Sequence, residues 1–143
     1  MFIGEYTHSI DSKRRLAVPA SFRKELGKTA VITQGLDGAL FLYPEKEWNK
    51  IAEKLSQLPI SQSDARGFSR LMLAAAMKVE LDKSGRILIP DYLTKAANLE
   101  KKVVLAGLYN RIEIWDQETW EKYKNKTSDE VGDMAERLKE LGI

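Results

Sequence analysis

Residues 9–19 read Ser-Ile-Asp-Ser-Lys-Arg-Arg-Leu-Ala-Val-Pro, and residues 80–90 read Glu-Leu-Asp-Lys-Ser-Gly-Arg-Ile-Leu-Ile-Pro. Both stretches carry an apolar residue, an aspartate, three small or basic residues, an arginine, three apolar residues and a proline, in that order. They stand 71 residues apart. Self-similarity at a fixed spacing is the sequence signature of an internal repeat. The chain is therefore predicted to contain two copies of one structural unit.

The similarity continues downstream of the two stretches. The spacing grows there to 72 residues, which one insertion between the motif and the next strand explains. A chance Asp-x-x-x-Arg pair is common, but a pair that shares a proline, a later Gly-Leu and a tryptophan is much less so. Duplication is therefore the favoured interpretation. The matched pairs are Val31 with Val103, Gly35 with Gly107, Leu36 with Leu108, Tyr43 with Trp115, and Trp48 with Trp120.

Each copy has the pattern of a small β unit bounded by helices. A short strand leads to the aspartate, and a polar turn then joins it to a three-residue apolar strand. Because proline at the first position of a helix loses no hydrogen bond, helices are expected to begin at Pro19 and Pro90. A β-hairpin follows in each copy, marked in the first by the turn pair Asp37-Gly38. The predicted strands are Glu5–Ile10, Leu16–Val18, Ala30–Gln34, Ala39–Tyr43, Lys78–Leu81, Ile87–Ile89, Lys102–Ala106 and Arg111–Trp115.

Four such short strands cannot bury a stable core alone, so the two copies are expected to share one. Eight strands together suffice for a single barrel with helices at its ends. The predicted fold class is thus mainly β with helices. The aromatic side chains expected in this core are Tyr43, Trp48, Trp115 and Trp120.

Helical patterns and Pro59 divide the chain into four predicted segments. Residues 1–58 form the first repeat, 59–77 a linking helix, 78–126 the second repeat and 127–143 a C-terminal helix. The repeats are expected to end in the helices Pro44–Leu58 and Asp116–Lys126. Ser128 has the character of an N-cap, so the last helix is predicted as a separate element over Ser128–Leu141, acidic and amphipathic.

Composition excludes several classes of protein. The chain has 143 residues, a net charge of +2, no cysteine and one histidine, His8. Disulfides, thiolate metal sites and cysteine nucleophiles are therefore excluded, as are most zinc sites, and a Ser-His-Asp triad could form only through His8. No apolar run is long enough to span a membrane, and the first residues lack the pattern of a signal peptide. The sequence thus predicts a cytoplasmic protein that does not enter membranes.

The two polar turns hold the candidate binding residues. In the first, Lys13, Arg14 and Arg15 follow Asp11, and the apolar strand begins immediately afterwards, so these cations must face solvent. Guanidinium and ammonium groups match phosphate oxygens and the guanine edge. The aspartate is expected to accept hydrogen bonds from the turn or to orient the arginine. The second turn repeats this pattern with Asp82, Lys83 and Arg86.

Two other interpretations remain open at this stage. The aspartate and arginine could form a salt bridge whose only role is to close the turn, and this role is compatible with binding. An enzyme would require a general base or an acidic metal site near the turns, and the sequence offers none. No catalytic residue, metal ligand or cofactor is therefore predicted.

The opening Met1–Tyr6, the Asp11-x-x-x-Arg15 motif with Pro19, and the Asp82-x-x-Gly85-Arg86 motif with Pro90 resemble the MraZ family of bacterial transcriptional regulators, within the SpoVT/AbrB-like group. The resemblance extends over nearly the whole chain. It implies tandem swapped-hairpin AbrB-like repeats that form one pseudo-symmetric double-split β-barrel. It also implies a ring-like homo-oligomer that binds double-stranded DNA at direct repeats in its own promoter, in the division and cell-wall gene cluster.

On this resemblance the protein is a cytoplasmic, nucleoid-associated repressor. The DNA-binding residues would be Lys13, Arg14, Arg15, Lys83 and Arg86, oriented by Asp11 and Asp82. The alternative is an antitoxin-like module that binds a protein partner on the same fold.

The first turn departs from the family pattern at one position. Arg14 stands where the motif usually has glycine, as Gly85 does in the second copy. The first turn is therefore expected to be more basic and to have a different shape. On charge alone, replacing Arg15 is expected to weaken DNA binding more than replacing Arg86.

Overall fold

The computed structural model describes residues 1–143 and contains a β core with helices around it. All eight predicted strands are present. The strands are β1 (Phe2–Ser9), β2 (Arg15–Ala17), β3 (Thr29–Gln34), β4 (Leu40–Pro44), β5 (Met77–Glu80), β6 (Arg86–Leu88), β7 (Lys102–Tyr109) and β8 (Ile112–Asp116). The helices are α1 (Ala20–Leu26), α2 (Glu45–Ser56), α3 (Ser63–Ala75), α4 (Asp91–Ala96) and α5 (Gln117–Arg137), followed by a short 3-10 turn at Lys139–Leu141.

The two repeats exchange strands with each other. Six strands form one antiparallel sheet in the order β1-β7-β8-β4-β3-β5, and β2 pairs with β6 in a separate two-stranded ribbon. The first strand of each repeat therefore pairs within the other repeat. Exchanging each strand for its equivalent in the other copy (β1 with β5, β3 with β7, β4 with β8) gives the same strand order, read from the opposite edge of the sheet. A pseudo-two-fold axis thus runs through the molecule, between Leu16 and Ile87 in the ribbon and between Phe41 and Glu113 in the sheet.

Strand pairing corrects one detail of the repeat alignment. Ile32 pairs with Leu42, and Leu105 pairs with Ile114. Since Leu42 and Ile114 are equivalent across the axis, Ile32 is the counterpart of Leu105. The match of Val31 with Val103 was therefore off by one, because the hairpin loop of the first repeat is one residue longer.

The core lies between the ribbon and the inner face of the sheet. Leu16 and Ile87 project from the ribbon with no exposed surface, and they join a cluster that includes Ile32, Leu40 and Ile112. Burial of apolar side chains contributes about 25 cal/mol per Å². The three-residue ribbon is thus anchored by the side chains beneath it as well as by its own hydrogen bonds.

The closed double-split barrel is not confirmed. The sheet is open, with β1 and β5 as its two edges, and the ribbon forms no ladder with either. Each ribbon strand is followed within two residues by Pro19 or Pro90, which lacks a backbone N–H and leads into a helix. The ribbon strands are therefore too short to continue the sheet around the core. The structure supports two repeats on one antiparallel sheet.

A second apolar cluster covers the outer face of the sheet. Phe41, Tyr43, Leu55 and Met72 are buried there, with α2 and α3 packed on β4 and β3. The Thr33 hydroxyl donates a hydrogen bond to the carbonyl of Met72, 2.6 Å away, and so fixes α3 to the sheet. Tyr43 and Trp115 are buried, and Trp48 and Trp120 are half-buried beside them. These four side chains were expected in the shared core, but none of them belongs to the cluster beneath the ribbon.

The C-terminal region differs from the sequence prediction. The helices expected at Asp116–Lys126 and Ser128–Leu141 are one continuous helix, α5. No glycine or proline lies between Gln117 and Val131, so nothing interrupts the helix at Ser128. The N-terminal cap is instead Asp116, whose carboxylate accepts from the backbone N–H of Thr119. Trp120 and Tyr123 pack on Trp115, but residues after Lys126 are mostly exposed.

Candidate nucleic-acid interface

The first turn is closed by the Asp11 carboxylate. Its Oδ1 accepts hydrogen bonds from the backbone N–H groups of Lys13 and Arg15, both at 2.9 Å. Its Oδ2 accepts from Nε of Arg15 at 2.7 Å. Backbone bonds between Asp11 and Arg15 and from Arg14 to Asp11 complete the turn. The aspartate therefore orders the backbone and the arginine together, as the sequence predicted.

The second turn repeats this network bond for bond. Asp82 Oδ1 accepts from the backbone N–H groups of Ser84 and Arg86 at 2.9 Å, and Oδ2 accepts from Nε of Arg86 at 3.0 Å. The backbone bonds are also equivalent. Two copies of one turn thus present two arginines in the same way.

The two turns have the same shape despite the difference at their fourth position. Arg14 has φ +60° and Gly85 has φ +75°, both in the left-handed region. The expectation of a differently shaped first turn is therefore wrong. A left-handed backbone costs a residue with a Cβ about 1–2 kcal/mol. The hydrogen bonds to Asp11 hold Arg14 in this conformation.

The ribbon brings both arginines to one outer face. Arg15 pairs with Leu88 and Arg86 with Ala17, and these four side chains alternate with the inward-facing Leu16 and Ile87. Nη1 of Arg86 lies 3.9 Å from Asp11 Oδ2, the same oxygen that binds Arg15. The two motif arginines, supplied by different repeats, therefore share one carboxylate at the surface.

Positive charge predominates around this pair. The seven candidate residues comprise five basic and two acidic side chains, a local net charge of +3. Lys13, Arg14 and Lys83 are exposed and form no ion pair, in contrast to Arg15 and Arg86. Each paired arginine uses only Nε in its hydrogen bond to aspartate. The terminal nitrogens of both arginines form no hydrogen bond, and apart from the 3.9 Å approach of Arg86 Nη1 to Asp11 they are available to an anionic ligand.

The hydrogen bonds of the two turns also lower the pKa values of Asp11 and Asp82. The pKa of Asp11 is lowered from its ordinary value of 3.8, first by the backbone N–H of Arg15, while desolvation opposes the shift. The pKa of Asp82 is lowered in the same way, first by the backbone N–H of Arg86. Both carboxylates are therefore ionised at neutral pH.

These shifts predict a loss of stability in acid. A carboxyl group whose pKa is lower in the folded chain stabilises the fold above its unfolded pKa, and that contribution is lost as the pH falls through the folded pKa. The variant Asp11→Asn should thus have a lower melting temperature than the wild type at pH 6. This difference in melting temperature should become smaller when the pH falls below 3.8, the ordinary pKa of the aspartate. Thermal unfolding at pH 2–7 measures it. A difference in melting temperature between Asp11→Asn and the wild type that stays constant over this range would contradict the assignment.

Two further residues were not singled out from the sequence. Arg23, on α1, lies against the second turn and donates from Nε to the carbonyl of Val18 at 2.8 Å. Glu113 is a buried carboxylate on the outer face of the sheet, bonded to the Arg111 guanidinium and to Nε1 of Trp115. Sequence patterns gave no signal for the contact of Arg23 with the second turn, because it joins segments that only the fold brings together. The Glu113 contacts are local, since Arg111 and Trp115 each lie two residues away. Alternation along a strand, which places residues i and i+2 on one face, is the signal that could have found them.

The structure was also compared with the requirements of a metal site and of a membrane-spanning helix. No group of three or more His, Cys, Asp or Glu side chains is placed to hold a metal ion. None of the helices is both long and apolar enough to cross a bilayer.

Comparison with known proteins agrees with the repeat. The family model described as "MraZ protein, putative antitoxin-like" matches twice, over residues 1–71 and 72–141. A Clostridium tetani protein named Transcriptional regulator MraZ is 47% identical over 143 residues, which is all of both chains. Proteins of the same name are 48% identical over the full length in Thermoanaerobacter sp. strain X514, and 49% identical over 96% of each chain in Heliobacterium modesticaldum.

Proposed function

The chain belongs to the MraZ family, and on this premise we propose that it is a sequence-specific DNA-binding transcriptional regulator. It binds direct repeats in the promoter of its own operon, in the bacterial division and cell-wall cluster, and represses that operon. It acts in the cytoplasm, on the nucleoid. The observation that carries the proposal is the pair of arginines, Arg15 and Arg86, held side by side on one exposed face.

The chemistry of the pair suits base and phosphate recognition. A guanidinium that is held by one aspartate has a fixed direction, so its terminal N–H groups can reach the guanine edge at low entropic cost. Lys13, Arg14 and Lys83 surround the pair and provide contacts to phosphates. The arrangement thus combines two oriented arginines for base recognition with exposed, unpaired cations for the DNA backbone.

One subunit provides few contacts, so we propose that the protein acts as a ring-like homo-oligomer. Several identical faces bound to repeated DNA sites gain affinity through effective concentration, without stronger single contacts. Repeated subunits in the protein would thus correspond to the direct repeats in the DNA.

The apolar surfaces of the subunit support self-association on the side away from the turns. Leu36, Leu58 and Phe68 line an open groove of about 470 Å³ on the outer face of the sheet. The charged side chains along this groove and the adjoining one are all basic. Residues 127–143 carry five acidic and two basic groups and expose Val131, Leu138 and Leu141. The end of α5 in one copy is thus complementary to the groove of a second copy.

Substitution at the end of α5 should therefore change the oligomeric state. The double variant Val131→Glu/Leu138→Glu puts charge on the apolar side of an exposed helix, so it should fold normally but dissociate to smaller species. Light scattering coupled to size-exclusion chromatography measures this change. The control Lys122→Ala should leave the mass unchanged. An unchanged mass for the double variant would exclude this interface, and a monomeric wild type would exclude the ring.

An antitoxin-like partner binder is the second candidate, because the same groove and the exposed end of α5 could hold another protein. The two functions differ at the turns. A protein binder has no need of the oriented arginines, and its affinity for DNA would not depend on sequence.

The test of the proposed function is binding to the promoter fragment upstream of the chain's own gene. Fluorescence anisotropy at several salt concentrations should show tighter binding to this fragment than to a scrambled one. Log affinity should fall steeply and linearly with log salt, with a slope of about −0.9 for each phosphate neutralised. Equal affinity for both fragments at every salt concentration would overturn the proposal and direct attention to the groove.

A further inference from the structure

Arg23 occupies the space above Gly85 in the second turn. Its Nε donates a hydrogen bond to the carbonyl of Val18. The backbone N–H of Val18 in turn donates to the carbonyl of Gly85 at 2.9 Å. A Cβ added to Gly85 would overlap Cζ and Nε of Arg23. The guanidinium therefore lies in direct contact with the turn, although Arg23 belongs to the first repeat and the turn to the second.

The first turn has the opposite arrangement. The residue equivalent to Gly85 is Arg14, which carries its own cationic side chain. The residue equivalent to Arg23 is Thr94, on α4, whose hydroxyl donates to the carbonyl of Pro90 in its own helix. The two differences are thus coupled. Where the turn has an arginine the neighbouring helix has a short side chain, and where the turn has glycine the helix has an arginine.

We propose that Arg23 is a DNA-binding residue of the second turn, where it supplies the positive charge that Arg14 supplies in the first. The side chain is exposed and forms no ion pair, so its charge is available to a phosphate. Each turn then presents three cations: Lys13, Arg14 and Arg15 in the first, and Lys83, Arg86 and Arg23 in the second. The binding face becomes electrostatically symmetric about the pseudo-two-fold axis, although the sequence of the motifs is not.

This assignment rests on the proposed DNA-binding function and changes one expectation. The sequence alone favours the first turn as the dominant one, because it holds more charge. With Arg23 included, the reason for that ranking disappears. The two turns should contribute comparably.

The inference is tested by moving the charge from one position to the other. Four proteins are compared on the promoter fragment: wild type, Arg23→Thr, Gly85→Arg, and the double variant Arg23→Thr/Gly85→Arg, which copies the first turn. Lys24→Thr is the matched control, because it removes the same charge from the neighbouring position of α1. Arg15→Ala serves as the reference for loss of DNA binding, and circular dichroism checks that each variant is folded.

Arg23→Thr should lower the salt slope by about one phosphate contact, which at 0.1 M salt is roughly a five- to tenfold loss of affinity. Lys24→Thr should leave the slope unchanged. Gly85→Arg alone should be less stable, because its side chain overlaps Arg23. The double variant removes that overlap and restores the charge, so it should recover the slope of the wild type.

Three results would overturn the inference while leaving the proposed function intact, provided that the wild type prefers its promoter and Arg15→Ala binds the promoter more weakly than the wild type. The first is an unchanged slope in Arg23→Thr. The second is a loss in Lys24→Thr as large as that in Arg23→Thr. The third is a double variant that folds but does not recover the salt slope of the wild type. Arg23 would then act by stabilising the turn and not by binding DNA. A wild type with no preference for its promoter would instead remove the proposed function, and the inference with it.

Discussion

Arg15→Ala should lower the affinity for the promoter repeats by roughly 5- to 150-fold per binding site, the range that corresponds to the ~1–3 kcal/mol of one bidentate arginine contact. Arg86→Ala should cause a loss of similar size. The reason is geometric: each arginine is fixed by Nε to its own aspartate, and both lie against Asp11 Oδ2. Removing either one therefore removes half of an oriented pair.

The measurement is a binding isotherm for each variant on promoter and scrambled DNA. Both variants should lose more affinity for the promoter than for the scrambled fragment, because oriented arginines recognise bases. The exposed lysines provide the matched comparison. Lys13→Ala and Lys83→Ala should weaken binding to both fragments by similar factors. A large effect at one arginine and none at the other would contradict the shared face.

Leu16→Ala should destabilise the protein by about 2–5 kcal/mol, the range for truncating a fully buried leucine. Leu16 has no exposed surface and pairs with Ile87 at the pseudo-two-fold axis, so its side chain anchors both strands of the ribbon. Since domains of this size have total stabilities of about 5–15 kcal/mol, this is a large fraction of the total. DNA binding should fall with it, because the ribbon carries both turns.

Leu88→Ala is the control for this effect. It lies in the same ribbon opposite Arg15, but its side chain is 53% exposed on the outer face. Urea unfolding should show a change of less than about 1 kcal/mol, as is usual for exposed positions. Equal losses in the two variants would mean that the ribbon is held by its backbone hydrogen bonds alone. The core beneath it would then contribute nothing.

The sequence predicted the repeat and all eight strands. These follow from local rules: the period of apolar residues, prolines at helix starts and a spacing shared by the two copies. The hydrogen bonds of Asp11 were also predictable, because an aspartate four residues before an arginine can reach both the turn backbone and the guanidinium.

The features that were missed depend on longer-range structure. Strand patterns alone do not predict the strand exchange between the repeats, which only the family resemblance implied. The open sheet was missed because the same strands are compatible with a closed barrel. The continuity of α5 was missed because Ser128 has the chemistry of a cap, yet no residue before it ends the helix. The contact of Arg23 with the second turn appears only once α1 is packed against a turn that is distant in the chain.

The difference between Arg14 and Gly85 is informative for the same reason. A rule based on single residues predicts two turn shapes, since arginine rarely adopts a positive φ. Identical hydrogen bonds hold the backbone of both turns and outweigh this preference. Substitutions of Lys13, Arg14 or Lys83, whose side chains take no part in these hydrogen bonds, should accordingly act on charge more than on shape.

We expect the two turns together to form the DNA-binding face. Hydrogen–deuterium exchange with and without the promoter fragment tests this expectation most directly. DNA should protect peptides covering residues 9–19 and 80–90 together, while the outer-face helices α2 and α3 exchange as before. Protection confined to α2, α3 and the end of α5, with both turns unaffected, would contradict the account and place the binding surface on the opposite side of the sheet.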